Sequence, residues 1–155
     1  MSAPQPPTEI HRLVALCRAG QFPSLICRVP SGWLIMAERQ VLPGYCLLLP
    51  DPVVPHLNAL PAPARRQFLE DMGAAGDALL ALTGALRINY AMFGNVEPAL
   101  HAHLFPRRAD EPAATRTLHP WALDWAAAPP YSASTHGALR QELAAALATT
   151  PSGPA

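Results

Sequence analysis

Apolar residues in the first third of the chain switch from helical to extended spacing. Ile10, Leu13, Val14 and Cys17 recur at helical intervals between Thr8, a hydroxyl residue suited to capping a helix start, and Gly20, suited to ending one. This predicts a short N-terminal helix. Two β-rich runs follow, Ser24 to Val29 and Trp33 to Ala37, around the turn-forming Pro30-Ser31-Gly32, which predicts a hairpin. Tyr45 to Leu49, after Pro43-Gly44, has no polar alternation and reads as a third, mostly buried strand. Pro50, Pro52, Pro55 and Pro61 then rule out regular helix or central strand, so the 50–61 segment is expected to be a stiff loop of fixed shape.

From Pro63 to Gly84 the residues Phe68, Met72, Ala75, Leu79 and Leu82 step by four, three, four and three along one stripe, which predicts a long helix. Leu86 to Phe93 and His101 to Phe105 are strand-like, Arg107 to Pro130 is loop-like and contains Trp121 and Trp125, and Ser134 to Leu147 forms a further amphipathic helix through Leu139, Leu143 and Leu147. The expected fold is α+β, a sheet of about five mainly antiparallel strands with its helices on one face and the other face left for a site. One domain over 8–147, including a C-terminal extension, is expected between disordered ends at 1–7 and 148–155.

Composition narrows the functional classes. A chain of 155 residues can bury one adequate core without disulfides or a structural metal. Half of it is hydrophobic, yet charges and prolines interrupt every run before the roughly 20 apolar residues a membrane span needs. The segment Met1 to Thr8 is Pro-rich, without the basic and apolar regions of a secretory signal, so a cytoplasmic address is expected. Cys17, Cys27 and Cys46 are odd in number and far apart, which predicts reduced thiols rather than a disulfide or zinc framework. Eleven basic residues balance eleven acidic ones with no cationic stripe, which argues against nucleic acid as a partner.

The chemistry gathers near residue 101. In an extended strand His101, His103 and Phe105 share one face while Leu100, Ala102 and Leu104 share the other, so the small apolar set can pack on a helix and two imidazoles stand side by side opposite. Phe93-Gly94-Asn95 supplies a turn whose N–H groups and Asn95 amide suit phosphate oxygens, and Arg107 and Arg108 bring cations to the strand end. Together these favour an anionic, phosphate-bearing substrate.

The stretch from Ile88 to Arg107, with Leu100-His101-Ala102-His103-Leu104-Phe105 at its heart, resembles the signature segment of the histidine triad (HIT) superfamily in its bacterial form. Pro43-Gly44-Tyr45 and the apolar run to Pro50 resemble the earlier strand of the same family, and the likeness extends from Trp33 to Arg107. The resemblance implies a homodimeric nucleotide phosphohydrolase or nucleotidyl transferase acting at an α-phosphate, with a nucleotide or dinucleotide substrate and no cofactor. It places the nucleophile on His101, the phosphate-contacting imidazole on His103, and Asn95 near the family's phosphate-contacting amide; Ala99 through its carbonyl, Tyr45 as a donor in place of the earlier histidine and Arg107 as a cation at the strand end complete the expected substrate-binding positions. The triad is degenerate: Ala99 stands where the first histidine is expected, Tyr45 replaces the histidine of the earlier strand, and Ala37 stands where a ribose-binding Asp or Asn is common.

An imidazole can attack phosphorus through one nitrogen if an acceptor holds the proton on the other, and the Ala99 carbonyl can still serve as that acceptor. The alternative is a catalytically weak or inactive nucleotide-binding or regulatory protein. A metal held by His101, His103 and one of His56, His119 or His136 is a further possibility in the residue types, but no carboxylate or cysteine has a supporting spacing, so no metal is expected.

Overall fold

Thr8 begins the first helix through a reciprocal pair of hydrogen bonds. Its side chain accepts from the His11 N–H, and the His11 ring accepts from the Thr8 N–H at 3.0 Å, so a histidine completes a capping box. The structure is a computed structural model that describes residues 6–148, and this helix, α1, spans Glu9–Arg18. The ends expected to be disordered lie outside the described residues, apart from Pro6, Pro7 and Ala148.

Five strands follow the predicted order: β1 (Leu25–Val29), β2 (Gly32–Met36), β3 (Cys46–Pro50), β4 (Arg87–Ala91) and β5 (Ala102–Arg107). They form one sheet in the order β1-β2-β3-β5-β4, every neighbouring pair antiparallel. The β1–β2 hairpin requires glycine at position 32, since a Cβ there would lie 1.9 Å from the Leu49 carbonyl oxygen of β3. The last two strands are shorter at the site end than the apolar runs suggest. Pairing stops at Ala91↔His103 and Leu48↔Ala102, which leaves His101 one residue outside the sheet.

The long helix α2 spans Ala62–Thr83, with proline in its first turn and Gly84 closing it at φ 67°. Phe68, Ala75 and Leu79 of the predicted stripe are buried and Met72 is half-buried against the core, whereas Leu82 is 37% exposed. Asp71 and Gly76 complete the buried face; the Asp71 carboxylate accepts from the Ser31 N–H and the Gln67 amide, each at 2.8 Å. The 51–61 loop contains a single 3-10 turn, Leu57–Ala59, and Pro50, expected to lie in this loop, instead ends β3 opposite Gly32. The C-terminal helix α3 spans Ala133–Ala148, with Leu143 fully buried.

Alternation along the strands sends Leu34, Met36, Leu48, Ala102 and Leu104 to one face, where they meet Phe68, Ala75 and Leu79 of α2 and Leu143 of α3. Ile35 and Leu49 point the other way, and α1 packs Ile10, Leu13, Val14 and Cys17 against them. The expectation of helices on one face only is thereby corrected. The α1 stripe is apolar, and burying each such side chain is worth about 1.5–3 kcal/mol, so it covers the second face instead of leaving it open. Ala37, Leu42, Tyr45 and Phe105 form a third cluster, covered by Leu123 and Trp125 from the segment before α3. Beside this cluster the half-buried His101 and His103 border a cavity, a window in the cover of the second face. The three cysteines are free, and burial pushes the Cys17 and Cys27 thiols up to about 11. Among the described residues no helix is long and apolar enough to cross a membrane.

Candidate functional site

The two imidazoles reach the window by different routes. Ahead of β5, the backbone is fixed where Ala99 N–H donates to the Glu97 carbonyl and Leu100 N–H to the Val54 carbonyl, each at 2.8 Å. His101 then turns its Nδ1 onto the Ala99 carbonyl oxygen at 2.7 Å. A carbonyl only accepts, so Nδ1 carries a proton, and in the neutral ring the lone pair is on Nε2. Ala99 thus serves through its backbone, while its methyl is buried against α1.

His103 lies within β5, paired with Leu47 of β3 and Ala91 of β4. Its Nδ1 is 2.6 Å from the Tyr45 hydroxyl, and its ring centroid is 4.8 Å from that of His101. Burial, and secondarily the neighbouring His101, depress its pKa to about 4, so the ring is neutral at physiological pH. Trp121 stands edge-on to it at 4.9 Å and to Phe93 at 4.8 Å.

Both histidines line a cavity of about 420 Å³ together with Phe93, Asn95, His119 and Trp121. Gly94, at φ 78°, makes the turn that leads into exposed Asn95, a backbone conformation that disfavours other residues. A second cavity of about 310 Å³, also bordered by Phe93 and Gly94, is lined by His56, Asn58, Ala99 and His101. His101 therefore borders two spaces, one largely aromatic and one more polar.

Of the six positions expected from the sequence, His101, His103, Asn95 and the Ala99 carbonyl come together. Tyr45 does not line the cavity; it is 4% exposed and sits behind His103, stacked on Phe105 at 4.1 Å. Arg107 is a correction. Its guanidinium is buried and donates to Glu111, to the Asn89 side chain and to the carbonyls of Leu118, Thr115 and Arg116. That set occupies the whole donor fork, so Arg107 fastens the loop after β5 and has no N–H left for a phosphate. His56 and His119, which sequence reasoning leaves outside the catalytic set, both border a cavity. Their only sequence signal is the residue type, because loop packing brings them there. His136 is elsewhere, its Nδ1 2.9 Å from the Ser132 N–H. Among the described residues no three His, Cys, Asp or Glu side chains are grouped to hold a metal.

No family model and no curated protein matches the chain. Solved structures do. A histidine triad protein from Marinobacter aquaeolei is similar at a TM-score of 0.71 and 18% identity, over 93% of this chain and 98% of the other. One from Bradyrhizobium japonicum reaches 0.68 at 21% identity, over 84% of this chain and 94% of its own. A hypothetical histidine triad nucleotide-binding protein from Sulfolobus tokodaii reaches 0.69 at 10% identity, over 88% and 91%.

Proposed function

We propose, taking as premise that this chain has the histidine triad fold, that it is a nucleotide phosphohydrolase or nucleotidyl transferase acting at an α-phosphate through a covalent nucleotidyl-His101. The observation that carries this reading is the 2.7 Å contact from His101 Nδ1 to the Ala99 carbonyl, which in the neutral ring leaves the lone pair on Nε2, beside a second imidazole and a cavity. The Nε2 lone pair attacks phosphorus, and the bond from phosphorus to the leaving group breaks. The leaving atom keeps that electron pair and takes up a proton from solvent water. Water then attacks the phosphoramidate and gives up one proton to solvent, the P–N bond breaks, and its electron pair returns to Nε2 as the nucleotide departs. His103 and Asn95 supply hydrogen bonds to phosphoryl oxygens as charge builds on them. The name of the Sulfolobus tokodaii neighbour, a nucleotide-binding protein, supports the same ligand class.

Incubation with adenosine phosphoramidate and with dinucleoside polyphosphates tests the proposal. Turnover is expected in the native chain and its loss in His101→Ala. The second reading, a nucleotide-binding or regulatory protein with weak or no catalysis, draws on Ala99, whose methyl cannot relay a proton as an imidazole would, and on Ala37, which lies under Leu123 and Trp125 without a carboxylate for a ribose. Ligand-induced thermal stabilisation without turnover in either chain favours it.

A further inference from the structure

Tyr45 is held on every side but one. Its N–H donates to the Leu42 carbonyl at 3.0 Å, and its own carbonyl accepts from the Ala37 N–H at 3.0 Å and the Gln40 amide at 2.9 Å. The ring is stacked on Phe105 at 4.1 Å and meets the edge of Trp125 at 5.9 Å. The hydroxyl projects from this fixed ring to His103 Nδ1 at 2.6 Å, its one hydrogen bond among the described residues.

Two proton arrangements satisfy that distance, and burial separates them. If Nδ1 carried the proton and donated to the phenol oxygen, the Tyr45 O–H would itself need an acceptor. The residue is 4% exposed and its hydroxyl has no second hydrogen-bond partner among the described residues, so a buried donor would be left unpaired. Such an orphan costs about 1–3 kcal/mol. If the hydroxyl donates to Nδ1, both groups are satisfied and the ring proton sits on Nε2.

We infer that Tyr45 is a positioning residue that fixes His103 as its Nε2–H tautomer, making the imidazole a permanent neutral hydrogen-bond donor to the phosphoryl group rather than a proton-transferring acid. The tautomer follows from the geometry alone; its use toward phosphate rests on the proposed function above. An imidazolium at His103 would push the Tyr45 O–H off its acceptor, which adds to the burial that already depresses the ring's pKa. Burial also raises the Tyr45 pKa, which keeps the phenol protonated and able to donate. The titratable and charged groups that face His103 are Tyr45 behind it, His101 beside it, and His119 and Glu97 around the shared cavity. The leaving-group proton must then come from a group other than His103.

Long-range 1H–15N spectra of the imidazole rings of the whole chain test this without any ligand. His103 is assigned by the signals missing from His103→Gln. The native chain at pH 7 is expected to show the Nε2–H pattern at His103, persisting well below the pH at which ordinary imidazoles protonate. Tyr45→Phe keeps the ring on Phe105 and is expected to raise the protonation pH of His103 and to bring in the second tautomer. An Nδ1–H pattern or an imidazolium in the native chain at pH 7 overturns the inference, as does an unchanged His103 titration in Tyr45→Phe. Because no turnover is read, absence of hydrolysis beside an Nε2–H ring would defeat the proposed function and leave the tautomer standing.

Discussion

His101 donates a hydrogen bond from its Nδ1–H to the carbonyl of Ala99, two residues upstream and 2.7 Å away. The acceptor is backbone, and it is held by the hydrogen bonds of Ala99 and Leu100 to Glu97 and Val54. The side chain at position 99 is therefore free to differ from an imidazole without losing the orientation of the nucleophile.

Ala99→Gly tests that separation. The substitution keeps the carbonyl and removes one buried methyl, so turnover is expected to stay within about tenfold of native, a change of under about 1.4 kcal/mol in the barrier. Steady-state kinetics with the nucleoside phosphoramidate measures it. A loss beyond a hundredfold would mean that the methyl packing, not the carbonyl, sets the His101 ring.

His103 makes stability depend on pH in a defined direction. Its folded pKa, about 4, lies below the ordinary imidazole value of 6.5. Between those limits the unfolded chain binds the proton and the folded chain does not. Stability is thus complete above about pH 6.5 and falls as pH drops toward 4, with a steepest slope of about 1.4 kcal/mol per pH unit. The ring is only partly buried, which holds the total to about 2 kcal/mol at most. Urea unfolding at pH 7 and 4.5 is expected to show a smaller loss in His103→Gln than in the native chain. Equal losses would show that another group carries the acid sensitivity.

Local periodicity carried most of the framework and the orientation of the histidine pair. The spacing of Phe68, Ala75 and Leu79 placed α2, and strand alternation placed Ala102 and Leu104 in the core with His101 and His103 opposite. What stayed illegible depended on contacts between distant segments. Nothing local says that α1 covers Ile35 and Leu49, or that loop packing brings His56 and His119 to the cavities. Arg107 misleads for the same reason. Beside a histidine pair it reads as a phosphate ligand, but alternation along β5 says only which way it points, not that Glu111 and the 115–118 carbonyls wait there.

Arg107→Lys separates a structural fork from a phosphate ligand. Lysine cannot reproduce five donors in a plane, and the change leaves Glu111, whose side chain is 11% exposed, and three carbonyls short of partners. Unfolding experiments are expected to show a loss of about 2–4 kcal/mol. At a temperature where the variant stays folded, KM for the nucleotide is expected to be unchanged. A raised KM with native stability would return Arg107 to the substrate.

The outer edge of β4 offers a surface for pairing, and self-association through it is expected. This strand ends the sheet, and beside it Leu86 is 61% exposed and Tyr90 43%, with Leu82 of α2 at 37%. An edge of unpaired backbone groups flanked by apolar side chains favours pairing with a second copy. Light scattering coupled to size exclusion is expected to give twice the 16.6 kDa chain mass. Leu86→Glu, at an exposed position where the folded monomer loses little, is expected to shift the peak to the single-chain mass. A native chain that elutes as a monomer at micromolar concentrations would rule this edge out as an interface, because two facing β4 strands with these side chains covered should hold together at that dilution.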